Sequence, residues 1–288
     1  MSVLLLQTLN GLSLSAVLFM ISVGFSIIIG LMRIVNLSHA TLFVLGAHVA
    51  ISVVRQFSGS FIMGLVGGAV LVGLLGVLIE RFLISRMYGK HFQQVLLTMG
   101  LMFIIDDLTL LIWEGYPIRN TPPALFSGSM SFAGIIFPRY RMFMICVGII
   151  AAIIMWFLVE RTKFGAIIRA GADNSEMVQA IGINISVVFL LAFGFGVFLA
   201  GLAGVLSSPM IGMQSGMSME FLTMAIVVIT VGGVGSLPGV IVGSLFVGMI
   251  DSFGRSMFPD LSYFTMFVPM VLVLIIRPQG LLGKVVLQ

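Results

Sequence analysis

Ser186 to Leu206 reads S-V-V-F-L-L-A-F-G-F-G-V-F-L-A-G-L-A-G-V-L, a run without a charged residue. A helix rises about 1.5 Å per residue and the bilayer hydrocarbon is about 30 Å thick, so roughly 20 apolar residues cross it. This run has that length. Its apolar residues are continuous rather than alternating, which argues for a helix and against a barrel strand. Directly before it stands a polar block, Arg161 to Asn184, R-T-K-F-G-A-I-I-R-A-G-A-D-N-S-E-M-V-Q-A-I-G-I-N. A spanning helix beside a compact polar insert sets the theme for the whole chain.

The 288 residues are 60% hydrophobic and 8% charged, against about 45–50% apolar and about 25% charged in a soluble domain. Mean hydropathy is +1.23. The expected fold is therefore an all-α integral membrane protein. Apolar runs at 8 to 31, 40 to 54, 61 to 79, 93 to 113, 142 to 159, 186 to 206, 220 to 233, 239 to 253 and 264 to 276 predict a polytopic bundle of about eight or nine transmembrane helices. The last three runs are short and interrupted around Gly232-Gly233-Val234-Gly235-Ser236-Leu237-Pro238-Gly239. That pattern predicts broken or re-entrant segments, which a bilayer tolerates where protein or a water-filled cavity covers the freed backbone. No soluble domain is expected, so 1–288 reads as a single transmembrane domain.

Positive charge is retained on the cytoplasmic side of a membrane. Arg81, Arg86 and Lys90 share one loop, Arg161, Lys163 and Arg169 another, and Arg277 and Lys284 mark the end. With these inside, the amino terminus is outside and the carboxyl terminus cytoplasmic. The stretch 114 to 141 falls outside despite Arg119, Arg139 and Arg141. The first basic residue is Arg33, so the amino terminus reads as a first span and not as a cleaved leader. The single cysteine, Cys146, excludes an internal disulfide and reads as a buried apolar thiol. No cluster of His or carboxylate has metal-ligand spacing and no nucleophile motif occurs, so no metal site and no catalytic residue are expected.

Within the polar block, Phe164, Ile167 and Ile168 recur at helical spacing, with Arg161, Lys163 and Arg169 off that face; this predicts a short helix ending near Gly171. Asp173 stands three residues before Glu176, a capping spacing for a second helix whose apolar face is Met177, Ala180 and Ile181, with Gly182 just past its end. Such a knob suits docking to a soluble partner. An interfacial helix lying on anionic lipid is equally consistent with the residues. Thirty-four glycines, among them Gly64, Gly68, Gly73 and Gly76 on one run and Gly194, Gly196, Gly201 and Gly204 on another, fit close helix packing in lipid better than a defined dimer face.

Two further groups stand out. Asn36 and His39 follow the first span beside Arg33; they either aim polar groups at a solute from a broken helix or serve, with Ser38, to cap the next helix. Asp106 and Asp107 lie inside the fourth span and point about 100° apart, so they read either as interhelical hydrogen-bonding groups or as a proton or cation site. Pro209, Gly212, Gln214, Ser215 and Gly216, ahead of Glu220, form an outside loop that either lines an entry for solute or, more plainly, leads into the next helix with Ser218 and Glu220 as its caps.

Four segments together resemble one family. G-F-S-I-I-I-G-L-M-R-I-V-N-L-S-H-A-T-L-F-V-L-G-A-H-V-A (Gly24 to Ala50), the G-x-x-x-R-A pattern of Gly165 to Ala170 with the following D-N-x-E-M and G-I-N, V-G-G-V-G-S-L-P-G-V-I-V-G-S-L-F-V-G (Val231 to Gly248) and R-P-Q-G-L-L-G near the end resemble, in order, bacterial branched-chain amino acid ABC importer permeases. The type resembled is the first-permease (H-type) subunit of the hydrophobic amino acid uptake family. The resemblance implies a permease domain in the bacterial inner membrane, paired with a second homologous permease. It also implies two cytoplasmic ATPase subunits, an extracytoplasmic substrate-binding protein and no nucleic acid.

ATP and Mg would sit on the ATPase subunits and no cofactor on this chain, which has no G-x-x-x-x-G-K-[ST] phosphate loop. The implied ATPase-coupling segment is 161–184, with Arg161, Phe164, Gly165, Arg169, Ala170, Asp173, Glu176, Met177, Ala180 and Gly182. The implied substrate path runs by Asn36, His39, Gly232, Gly233, Gly235 and Ser236. His39 is followed by Ala40 and Thr41 where the family usually has Gly and often an acidic residue, and relatives carry urea and amides, so the solute class stays open. The competing reading is a self-sufficient channel or secondary carrier in which Asp106 or Asp107 binds a coupling ion. A membrane enzyme finds little support.

Overall fold

The computed structural model describes residues 2–57, 60–132 and 134–283; Lys284, used above for orientation, lies outside them. Every apolar run forms a helix. In chain order these are α1 (Ser2–Met32), α2 (His39–Gln56), α3 (Phe61–Phe82) and α4 (His91–Trp113), then a hairpin of β1 (Ser129–Phe132) and β2 (Ile135–Pro138). There follow α5 (Arg139–Arg161), α6 (Lys163–Asp173), α7 (Ser175–Ala180), α8 (Ile185–Ser207), α9 (Ser218–Gly232), α10 (Leu237–Met257) and α11 (Ser262–Ile276). Among the described residues six helices, α1, α3, α4, α5, α8 and α10, are long and apolar enough to cross a membrane, and α9 and α11 are shorter apolar helices. Among the described residues a two-stranded antiparallel hairpin and an isolated antiparallel bridge between Ile118 and Met213 depart from an all-α chain. The hairpin follows Pro117, Pro122 and Pro123 in the link between α4 and α5.

Two compact units are distinguished. One comprises Val23–Thr121 and Trp156–Leu222, and its centre is α2, α3 and α8. Glycines set the separation of these helices. A Cβ on Gly46 would lie 2.5 Å from the Gly201 carbonyl oxygen, and one on Gly68 2.8 Å from that of Gly46; Gly204 sits directly against the carbonyl of Phe43. The glycine stripes of α3 and α8 interlock: Gly73 meets Phe198, Gly76 meets Val197, Gly194 meets Val77 and Gly201 meets Val72. Both stripes are consumed by packing inside this unit. Lipid tails supply no hydrophobic drive between helices, so close van der Waals contact of this kind is what holds them.

The other unit comprises Met1–Ser22, Pro122–Met155 and Thr223–Gln288. Gly248 of α10 packs on Ser15 of α1, Gly11 on Met249, and Gly148 of α5 on Ala16. Ser252 donates to the Gln7 carbonyl at 2.8 Å. Arg141 donates to Asn10 Oδ1, which ties the start of α5 to α1 within this unit. Within α10 the carboxylate of Asp251, 4% exposed, is paired with Arg255 at 2.8 Å.

Lipid-facing surface explains one correction. Only 22% of the apolar window of α4, and of α5, is buried, against 83% for α1. Cys146 lies on α5 and is exposed, not buried as its apolar surroundings suggest. In a membrane helix, apolar neighbours in sequence are no sign of burial, because the outer face is apolar too.

A polar knob, a broken helix and an intramembrane carboxylate

α5 ends at Arg161, and Thr162 restarts the chain as α6 by accepting a hydrogen bond from Gly165 N–H at 3.2 Å. Gly165 is pressed on the carbonyls of Val159 and Leu158, where any side chain would force the two helices apart. Arg169 closes the turn, donating to the Val159 carbonyl and pairing with Glu160 at 3.3 Å. That ion pair is half exposed, a geometry worth about 0–1 kcal/mol. Ile168 is buried, Phe164 meets Phe195 edge-on, and Gly171 lies on Leu31 and Ile185. The apolar face expected of this helix packs on the unit.

α6 runs two residues past Gly171, to Asp173, and the cap of α7 is Asn174, which accepts from Met177 N–H at 3.0 Å. The Asp173–Glu176 capping pair is thereby corrected: Asp173 still lies in helical turn, and the residue after it holds the extended backbone a cap needs. Gly182 has φ +87, the left-handed turn that ends α7. Inward, α7 buries Val178; Met177 and Ile181 are 62% and 70% exposed, and Ala180 and Glu176 are exposed as well. A capped short helix thus holds an apolar face outward beside a carboxylate.

Between α1 and α2 the helix breaks at Arg33, whose φ is +54. The broken segment is anchored on α4: Thr98 Oγ1 accepts from Leu37 N–H and lies 3.3 Å from the Val35 carbonyl. Ser38 precedes α2 without capping it, because its hydroxyl turns back to Asn36 Oδ1 at 2.7 Å. Asn36 and His39 are 0% and 1% exposed, and His39 stacks on Phe25 at 5.1 Å. The Asn36 Nδ2 has no partner among the described residues. Both side chains are interior groups in this conformation.

Gly232, Gly233, Gly235 and Ser236 form the turn from α9 to α10. Gly232 and Gly239 press backbone on backbone, Gly243 lies against the Val228 carbonyl, and Ser236 caps α10 by accepting from Gly239 N–H at 3.1 Å. The carboxyl-terminal R-P-Q-G-L-L-G segment completes this hairpin: Leu281 and Leu282 donate to the carbonyls of Val231 and Gly232 at 2.7 and 2.9 Å. The sequence motifs at Val231 and Arg277 are structural partners. Asn36 and His39 lie in the first unit and Gly232–Ser236 in the second, each packed within its own.

In α4, Asp106 Oδ1 accepts from Ser218 at 2.7 Å, which uses the hydroxyl that the sequence assigns to capping α9. Asp107 is exposed. Three polar groups passed unnoticed in the sequence. Glu80, 2% exposed at the end of α3, takes a hydrogen bond from Tyr88, and burial followed by this carboxylate pushes the phenol of Tyr88 far above its ordinary range. His48 is fully buried against Trp113. Asn120 donates to Ser208 Oγ at 2.6 Å and to the Ala47 carbonyl at 3.3 Å. An acidic residue beside the basic 81–90 loop was the available signal for the first; nothing local marks the others.

Comparison with known proteins follows the same architecture. The chain is 24% identical to the high-affinity branched-chain amino acid transport system permease protein BraD of Pseudomonas aeruginosa, across 96% of this chain and 95% of BraD. It is 25% identical to LivH of Escherichia coli K12, of the same description, with the same coverage. In fold it is similar to PsaBC from Streptococcus pneumoniae, solved in complex with Fab, at a TM-score of 0.52 and 14% identity over 94% of this chain and 91% of that one. Residues 7–275 match the family described as branched-chain amino acid transport system / permease component. The chain belongs to that family.

Proposed function

We propose that this chain is one permease subunit of an ATP-driven importer for a branched-chain or other hydrophobic amino acid, or a related small solute. It forms half of the translocation path with a second homologous permease in the bacterial inner membrane. Its amino terminus is outside and its carboxyl terminus cytoplasmic. A binding protein delivers solute from outside, and two ATPase subunits drive the cycle from inside with their own ATP and Mg. The observation that carries this reading is α7: a capped helix packed on α6 and α8, with Met177, Ala180 and Ile181 exposed. An apolar face exposed on a firm knob is what a soluble partner docks against.

Alternating access would then be driven through α6 and α7, with Asn36 and His39 leaving their buried positions and the α9–α10 turn moving toward the path. Glu176→Lys in the reconstituted complex tests the docking. Uptake is expected to fall tenfold or more while ATP hydrolysis continues and the subunit stays folded; normal uptake would remove the segment from the coupling role. Screening the associated binding protein against amino acids, amides and urea identifies the solute.

A further inference from the structure

A cavity of about 370 Å³ opens where three segments of one unit meet: the end of α1, the α3–α4 turn and the α6–α7 junction. Its walls include Arg33, Tyr88, His91, Gln94, Glu176 and Phe189. Volumes of about 300–1,000 Å³ are usual for small-molecule sites. Gln94 is 2% exposed, yet its Oε1 has no hydrogen-bond partner among the described residues, and a buried amide oxygen left unpaired is unusual. α4 begins at this rim, with His91 and Gln94 in the lining and no side-chain cap from Lys90; the unpaired N–H groups and the positive dipole end of a helix lie at such a start. Arg33 and Glu176 make no side-chain ion pair or hydrogen bond among the described residues. Leu31, Met32 and Phe189 supply apolar wall.

We propose that this cavity binds a small zwitterion, a free α-amino acid. Its carboxylate lies between Arg33 and the start of α4, its ammonium faces Glu176 and takes the Gln94 oxygen, and its side chain rests on the apolar wall. A simple anion would meet the carboxylates of Asp173 and Glu176 and a simple cation would meet Arg33, so a solute carrying both charges is matched best. Because the three walls come from different segments, occupancy ties the α6–α7 junction to α1 and α4. Given the coupling role proposed above, that restrains the coupling segment when solute accumulates on its side of the membrane.

The test uses the permease–ATPase complex in nanodiscs without binding protein, titrated calorimetrically with L-leucine, leucinol and 4-methylpentanoate. L-leucine should bind saturably and the two singly charged analogues at least tenfold more weakly. Arg33→Gln should weaken L-leucine binding tenfold or more with the thermal midpoint unchanged. His91→Gln, at the first position of α4, keeps the backbone donors and should weaken it less. In proteoliposomes, millimolar L-leucine on the ATPase side should slow ATP hydrolysis of the parent complex and not of the Arg33→Gln complex. No binding of L-leucine, equal binding of the analogues, or an unchanged isotherm in Arg33→Gln overturns the site. Met177→Asp with Ile181→Asp, both outside the cavity lining, separates the two readings: retention of the ATPase subunits by that complex would remove the regulatory consequence and leave the isotherms untouched.

Discussion

Leu281 donates its backbone N–H to the carbonyl of Val231 at 2.7 Å, and by that bond the end of the chain caps α9. The last carbonyls of a helix have no partner within it, and inside a membrane an unmet carbonyl is costly. Gly280 makes the approach possible, with φ +81 and a Cβ position 2.7 Å from both Gly233 N and the Thr230 carbonyl. Leu281→Pro removes the donor and should cost about 1–3 kcal/mol, the penalty of a buried group left unpaired. It is read as a lower thermal midpoint of the purified subunit, whereas Leu281→Ala keeps the N–H and most of the midpoint. Equal midpoints for the two would show that the bond does not hold the turn.

The outward face of α7 gives a prediction independent of Glu176. Met177→Asp with Ile181→Asp removes apolar area that is mostly exposed, 62% and 70%, so folding and membrane abundance should be little changed. Co-purification of the ATPase subunits should be lost, and uptake with it. Bulk at Gly165 is the wrong tool for this question: its contact with the Val159 and Leu158 carbonyls means that a larger residue breaks the α5–α6 turn before it tests any partner. Retention of both ATPases by the double variant would place their docking elsewhere.

Helix positions were legible because apolar runs are long and bounded by charge; 186 to 206 became Ile185–Ser207 and 93 to 113 became His91–Trp113. The glycine stripes were legible as packing but not as partners of each other, since which helix faces which depends on tertiary contacts such as Gly73 on Phe198. In the polar block the two helices were readable from spacing, yet the cap fell on Asn174 and not Asp173, because α6 continues two residues past Gly171 and shifts the boundary. Asn36 illustrates the remaining gap. Its polarity marks the break, but whether it faces a path or the interior is set by Thr98, which is 62 residues away and has no local signature.

Gly204 should be among the least substitutable positions. It abuts the Phe43 carbonyl where α2 crosses α8, and a methyl group there must push backbone, not a flexible side chain. Gly204→Ala is expected to cost at least the about 1–3 kcal/mol typical of overpacking. Gly100→Ala on α4, where nothing lies within 4 Å, should be neutral or slightly stabilising because alanine is the better helix former. Thermal unfolding in detergent compares the pair directly; a Gly204→Ala midpoint equal to that of Gly100→Ala would mean that α2 and α8 are not held at this crossing.

Asp106 separates a driven permease from a self-sufficient carrier. Its Oδ1 accepts from Ser218, a contact that an asparagine side-chain oxygen reproduces without charge. If the residue serves as an interhelical hydrogen-bond acceptor, Asp106→Asn keeps ATP-driven uptake within about twofold, while Asp106→Leu leaves the Ser218 hydroxyl unpaired and lowers stability by about 1–3 kcal/mol. A coupling-ion site behaves differently, because asparagine cannot exchange a proton or balance a cation, and uptake would be abolished. Reconstituting the chain without ATPase subunits sharpens the comparison: flux that persists without them and disappears in Asp106→Asn would assign the carboxylate to ion coupling and overturn the permease mechanism, whereas no flux from the chain alone, together with active Asp106→Asn complexes, leaves the carboxylate as a structural partner of Ser218.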